Sequence, residues 1–119
     1  MSDARRPLNR PASTALAVAI AAGVAAGVGL AQSAPKPYAS ADPTAGKALS
    51  DKDCVTCHAA KFGGDATRIY TRPDRRVRTP AQLVAQVQYC NTEIGLAYFP
   101  DDEADVAAYL DREHYRFAP

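Results

Sequence analysis

Cys54, Cys57 and His58 fall in one five-residue stretch, Cys54-Val55-Thr56-Cys57-His58. Thiols three positions apart on a helix lie about one turn from each other, so both can add to vinyl groups along one edge of a porphyrin. An imidazole directly after the second thiol is then held under the centre of the ring, within reach of its iron. The spacing C-x-x-C-H is the attachment signal of a c-type haem, and it makes one covalently bound haem c the expected cofactor and His58 the expected proximal iron ligand. So short a pattern carries weight only in a chain exported to the compartment where haem c is attached.

The N-terminus meets that condition. Arg5, Arg6 and Arg10 precede a charge-free run from Pro11 to Pro35, within which residues 15–31 are all apolar or glycine. A basic start, an apolar middle and small residues at the end describe a secretory signal over residues 1–33, with Ala31 and Ser33 both acceptable before cleavage. The alternative is an uncleaved anchor through residues 15–31, at the short limit of what spans a bilayer. The expected location is the periplasm.

From Pro35 onward the chain has eleven Lys or Arg and twelve Asp or Glu, a net charge of about −1. The full-length excess of +1 thus belongs to the export segment. A near-neutral exported body gives no reason to expect a nucleic-acid partner. About 85 residues make one small domain whose side chains alone build a thin core, and a buried haem would complete it. Of the three cysteines, Cys90 has no partner once two are committed to haem. It is buried and inert, joined to another chain, or bound to something.

The elements that position these groups follow from turn and cap signals. Residues 34–43, with Pro35, Pro37 and Pro43, are expected to form a linker, and residues 44–119 the domain. Asp42-Pro43-Thr44 is a helix start, and the helix it opens runs to Asp53 and into Cys54, with Ala45, Ala48 and Leu49 as its apolar stripe. Residues 61–79 contain Gly63-Gly64, Pro73 and five arginines, and are expected to form a loop around one haem edge. Within it Arg72 and Tyr70 are candidates for hydrogen bonds to haem propionates; a solvated arginine face is the plainer alternative. Thr79-Pro80 opens a second helix whose apolar face is Leu83, Val84, Val87 and Cys90. Residues 91–100 are expected to connect it to a third helix from Pro100 to about Tyr115, begun by Asp101, Asp102 and Glu103 and facing inward through Val106, Tyr109 and Leu110. Tyr98 and Phe99 suit the core beside a haem. The expected fold is all-α, a small cytochrome c-type domain of about three helices wrapped around one covalent haem.

From about Ala45 to Phe117 these features resemble the class I cytochrome c family: a glycine-containing helix leading into C-x-x-C-H, and a terminal helix with an inward aromatic residue. The resemblance implies that the first and last helices cross at Gly46 against Tyr109, and that a proline carbonyl, here Pro73, holds the proximal histidine. Most members use methionine as sixth ligand, whereas the single Met here is Met1. The segment Cys90-Asn91-Thr92-Glu93-Ile94-Gly95, followed by Tyr98-Phe99-Pro100, instead is similar to cytochromes with Cys and Asn on the distal side. These are the SHP-type oxygen-binding proteins, with a weak Asn ligand beside a disulfide-bonded Cys, and the His/Cys-ligated cytochromes of the NaxL and NaxS type, which fit better because Cys90 has no disulfide partner. A heterodimer with a similar small cytochrome is a further implication of the resemblance.

Four readings stand for the sixth position: Cys90 as thiolate, Asn91 as weak ligand, His114, or an open iron with Cys90 merely packed in the core. The thiolate reading is favoured, since a ferric centre would ionise the sulfur. It implies a low-potential one-electron carrier with a redox protein as partner. The competing function is binding of nitric oxide or carbon monoxide once the thiolate leaves on reduction. Zinc held by Cys54, Cys57, Cys90 and a histidine is a third reading. No motif positions an acid–base pair, so enzymatic turnover is not expected.

Overall fold

The computed structural model describes residues 34–119, which lie in one compact unit, Gln32–Pro119. The expected signal or anchor over 1–33 lies outside the described residues. Among the described residues the structure is helical, with no strand, and no helix is long and apolar enough to cross a membrane.

Helix α1 spans Pro43–Asp53, α2 Val55–Lys61, α3 Arg68–Thr71, α4 Pro80–Ile94 and α5 Pro100–Leu110, after which a single π-helical turn runs Asp111–Tyr115. The starts coincide with the sequence signals because each is chemically capped. Asp42 accepts the Thr44 N–H at 2.7 Å, Thr79 accepts the Gln82 N–H at 3.2 Å, and Asp102 accepts the Phe99 N–H at 2.9 Å, with a proline in the first turn of each helix. Such caps satisfy N–H groups that have no partner inside the helix.

Four expectations change. The C-x-x-C-H stretch forms its own helix, α2, and a one-turn helix, α3, interrupts the expected loop over 61–79, so five helices replace three. Helix α4 does not end at Cys90 but continues to Ile94, where Gly95 closes it in the left-handed conformation at φ 66°. Asn91, Thr92 and Glu93 are therefore helical, and the connection to α5 shrinks to residues 95–99. On α1 the buried positions are Gly46 and Ser50, with Leu49 half-buried, while Ala48 faces solvent.

The expected linker is part of the fold. Tyr38 is only 5% exposed, and its hydroxyl donates to Asp111 at 3.0 Å. Lys36 donates to the same carboxylate at 2.7 Å and to the Phe117 carbonyl at 2.8 Å, and Asp111 also accepts the Phe117 N–H at 2.8 Å. One buried carboxylate thus ties the segment before α1 to the chain end. Its desolvation is offset by these donors together, which is how a buried charge is tolerated. Burial and the neighbouring carboxylate both push the Tyr38 hydroxyl well above its usual range. Glu103 is likewise buried and accepts from Asn91 at 2.8 Å, so two of the six acids between Asp101 and Glu113 are internal and add nothing to a surface field.

The core consists of Leu83 and Val87 of α4 against Val106, Ala107 and Leu110 of α5, joined by Tyr70, Val77 and Tyr115. Helices α1 and α5 cross in close contact at Gly46. A Cβ there would overlap the carbonyl of Asp105 and lie 2.8 Å from the Val106 nitrogen. The crossing of first and last helices is as expected. Its partner is the α5 backbone at Asp105–Val106, one turn before Tyr109, because a glycine lets backbone meet backbone where a side chain would keep the helices apart.

Candidate functional site

Helix α1 runs directly into Cys54, which caps α2, and α2 then carries Cys57, His58 and Lys61. All four residues line a cavity of about 320 Å³. Helix α4 supplies the facing apolar wall through Leu83, Val87 and Cys90, with Gln86 among them, and α5 closes it with Val106 and Leu110. Tyr70, Leu96 and Tyr98 also line it, as do Asp53, Tyr89 and Glu93, and Ile94, 54% exposed, stands at its edge. The size is that of a small-molecule or cofactor site.

The two thiols differ. Cys57 is exposed, whereas Cys54 is half-buried and burial pushes its thiol up, a hydrogen bond with Ser50 partly offsetting the effect. All three cysteines are free thiols.

His58 is held by a neighbour that sequence reasoning assigned elsewhere. Its Nδ1 lies 2.8 Å from the hydroxyl oxygen of Tyr70, which is 8% exposed. When Nδ1–H donates to that oxygen, the Nε2 lone pair is free, the tautomer a metal ligand needs. Burial, and then the charge of Lys61, lower the His58 pKa, so the imidazole is neutral at neutral pH. Tyr70 therefore orients the histidine with its oxygen, and burial pushes its hydroxyl well above its usual range. Pro73 does not hold His58: its carbonyl accepts from Arg78 at 2.7 Å. Replacing Tyr70 by phenylalanine is expected to release the ring, so that the His58 ring nitrogens in ¹⁵N NMR shift from a single tautomer to a mixture. The accompanying loss of stability should be about 1 kcal/mol, the scale of one hydrogen bond.

The distal candidates separate by position. Cys90 lines the cavity and accepts a hydrogen bond from Gln86 at 3.4 Å. Asn91 lies outside the cavity wall with its amide fully engaged: it accepts the Tyr98 N–H at 3.1 Å and donates to the Tyr98 carbonyl at 3.1 Å and to Glu103 at 2.8 Å. Its work is to fix the short loop after α4. His114 is also outside the cavity wall, stacked on Tyr70 at 4.9 Å with its pKa lowered by burial. The helical extension to Ile94 is what turns Asn91 away while Cys90 stays on the face of Leu83 and Val87. Tyr98 puts its ring against the cavity, but its hydroxyl donates to Asp53 at 2.7 Å, bracing the end of α1 just before Cys54.

A second, smaller cavity of about 230 Å³ shares His58, Lys61, Gln86 and Cys90 with the first and adds Arg72 and Arg76. Its lining carries three cations and no carboxylate. Arg72 lies over the Phe62 ring at 5.5 Å and Arg75 over the Tyr115 ring at 5.7 Å, so these arginines are packed and not simply solvated. The Nε groups of both Arg72 and Arg75 are buried with no hydrogen-bond partner among the described residues. Buried donors of this kind are rare and mark a place for an acceptor. Arg72 thus lies where an anionic edge of a cofactor would be met.

Among the described residues no group of three or more His, Cys, Asp or Glu is arranged to hold a metal ion. Two features of the site escaped the sequence. The Tyr70 contact joins residues twelve apart with no periodicity to announce it. Gln86 is the other, although its place one helical turn before Cys90 is a spacing that could have pointed to it. Compared with known proteins, the chain matches no family model, no curated protein and no solved structure.

Proposed function

We propose that this chain is an exported monohaem c-type cytochrome that carries single electrons, with His58 and Cys90 as axial ligands. The observation that carries the reading is the convergence of Cys54, Cys57, His58 and Cys90 on one largely apolar cavity. The chain's residues suit haem on three further counts. The Nδ1 contact with Tyr70 suits the tautomer in which Nε2 of His58 is free, the walls from α4 and α5 are apolar, and the unpartnered Nε–H of Arg72, in the adjoining cavity, suits a carboxylate edge. Haem bound there supplies one-electron iron chemistry.

Each residue then has a separate task. Cys54 and Cys57 fix the cofactor covalently, α1 and the Tyr98–Asp53 bond hold the α1–α2 junction in place, and Tyr70 keeps the histidine from turning. Cys90, as a thiolate ligand, would favour the ferric state, so a low potential is expected. Arg72 would meet a carboxylate of the cofactor. The partner is a redox protein, and the site of action is the periplasm.

The test is the absorption spectrum of the haem-loaded protein, ferric and dithionite-reduced, with and without carbon monoxide, beside Cys90→Ala. The ferric wild type is expected to show a sulfur-to-iron charge-transfer band that the variant lacks, and the reduced wild type to leave carbon monoxide unbound. Identical spectra for the two proteins would remove Cys90 from the iron. Uptake of carbon monoxide by the reduced wild type would replace electron transfer with binding of a diatomic gas, nitric oxide or carbon monoxide, as the function.

A further inference from the structure

We propose that Gln86 is the positioning residue of the Cys90 sulfur: its side-chain amide donates an N–H to the thiolate, limits the charge the sulfur offers to the iron, and so sets which oxidation state the site prefers. The inference rests on the axial reading of Cys90 above.

Gln86 and Cys90 are one turn apart on α4, a spacing that puts both side chains on one face, and the Gln86 Nε2 lies 3.4 Å from Sγ. Both residues line both cavities, so the amide stands where the two voids adjoin. Gln88 of α4 is exposed, and two further amides of the helix are engaged elsewhere. Gln82 accepts the Arg78 N–H at 2.8 Å beside the helix start, and Asn91 holds the Tyr98 loop. Gln86 is the one whose recorded partner is the sulfur.

Its neighbours make that choice informative. Leu83 and Val87, on the same face, are 1% and 8% exposed, and a leucine at the half-buried position 86 would line the same wall without an amide. An amide beside apolar walls costs free energy unless it is hydrogen-bonded. A neutral thiol is a weak acceptor, whereas an ionised sulfur makes a charge-assisted bond about twice as strong. The amide therefore stands where it would bond a sulfur that ligates a metal. Hydrogen bonds to ligand sulfur are a recognised control on the potential of iron and copper sites, because they hold negative charge on the sulfur and reduce its donation to the metal. Without the Gln86 donor, Cys90 donates more strongly and the ferric form gains.

The experiment is a spectroelectrochemical titration of the haem-loaded full chain, in which a mediator delivers one electron per iron, comparing wild type, Gln86→Met, Gln86→Glu and Cys90→Ala. Methionine keeps the length and apolar volume without the donor; glutamate keeps the shape and sets a negative charge beside the sulfur. At a fixed mediator potential the ferric-to-ferrous ratio in Gln86→Met is expected to rise about tenfold, the scale of one hydrogen bond to a charged group. For a one-electron couple that is a midpoint about 59 mV lower. Gln86→Glu should move the same way, and in both variants the charge-transfer band should persist at a shifted wavelength. If the band depends on Cys90 but neither Gln86 variant changes the ratio, the role of Gln86 is overturned and the axial reading stands. If the wild type has no Cys90-dependent band, both fall together. Should Gln86→Met fail to fold, the near-isosteric Gln86→Glu carries the same test alone.

Discussion

Replacing Cys54 and Cys57 together by serine is expected to abolish haem staining of the denatured protein on a gel, where the wild type keeps its cofactor. Serine preserves the size and helical tolerance of each position but cannot form the thioether, so the loss reports the covalent bond and not the fold. The single variants should retain staining at reduced yield, because one thioether still survives denaturation. They should not be equal. Cys57 is exposed, whereas Cys54 is half-buried, with burial pushing its thiol up. A chain left with the exposed Cys57 alone should therefore keep more haem than one left with Cys54 alone. Helical circular dichroism run in parallel would show that the double variant has lost cofactor with its helices intact. Full staining of the double variant would mean that the two thiols do not hold the group.

The elements that position this site were legible where a single local signal determines them. Asp42-Pro43 and Thr79-Pro80 start helices because cap and proline satisfy the same local backbone requirement, whatever surrounds them. The stripe of Leu83, Val87 and Cys90 follows from the helical period alone. Helix ends were less legible: nothing in Asn91-Thr92-Glu93 forbids a helix, and the glycine able to close it comes only at 95. The contacts that define the site chemically were hidden for a different reason. Tyr38 is anchored by Asp111, and Tyr70 by His58, across sequence separations of seventy-three and twelve residues, and no local pattern records which buried hydroxyl will meet which partner. Proline-rich composition suggested a linker before α1, but one tyrosine and one lysine were enough to fasten it. At Gly46 the sequence indicated that helices would meet closely; which atoms would be met depended on the register of α5, and that is set by packing over the whole core.

Gly46→Val is expected to be the most damaging single substitution outside the haem-attachment stretch. The added Cβ would overlap the Asp105 carbonyl, and this neighbour is helical backbone that no rotamer change can move aside. Overpacking a core costs about 1–3 kcal/mol when side chains can adjust, and here the upper end or more is expected because they cannot. For a domain of this size about 3 kcal/mol corresponds to a fall in melting temperature of roughly 12 °C or more. The consequence reaches the site through two routes. Helix α1 ends at the residue before Cys54, and Val106 and Leu110 of α5 form part of the cavity wall, so separating α1 from α5 moves the thiols and the wall apart. Gly46→Ala should show the same effects more weakly, since it adds the clashing Cβ without further bulk. Thermal melts followed by circular dichroism, with haem content measured on the same preparations, would read both consequences. A Gly46→Val protein that melts within a few degrees of wild type would show that α1 and α5 do not depend on backbone contact at this crossing.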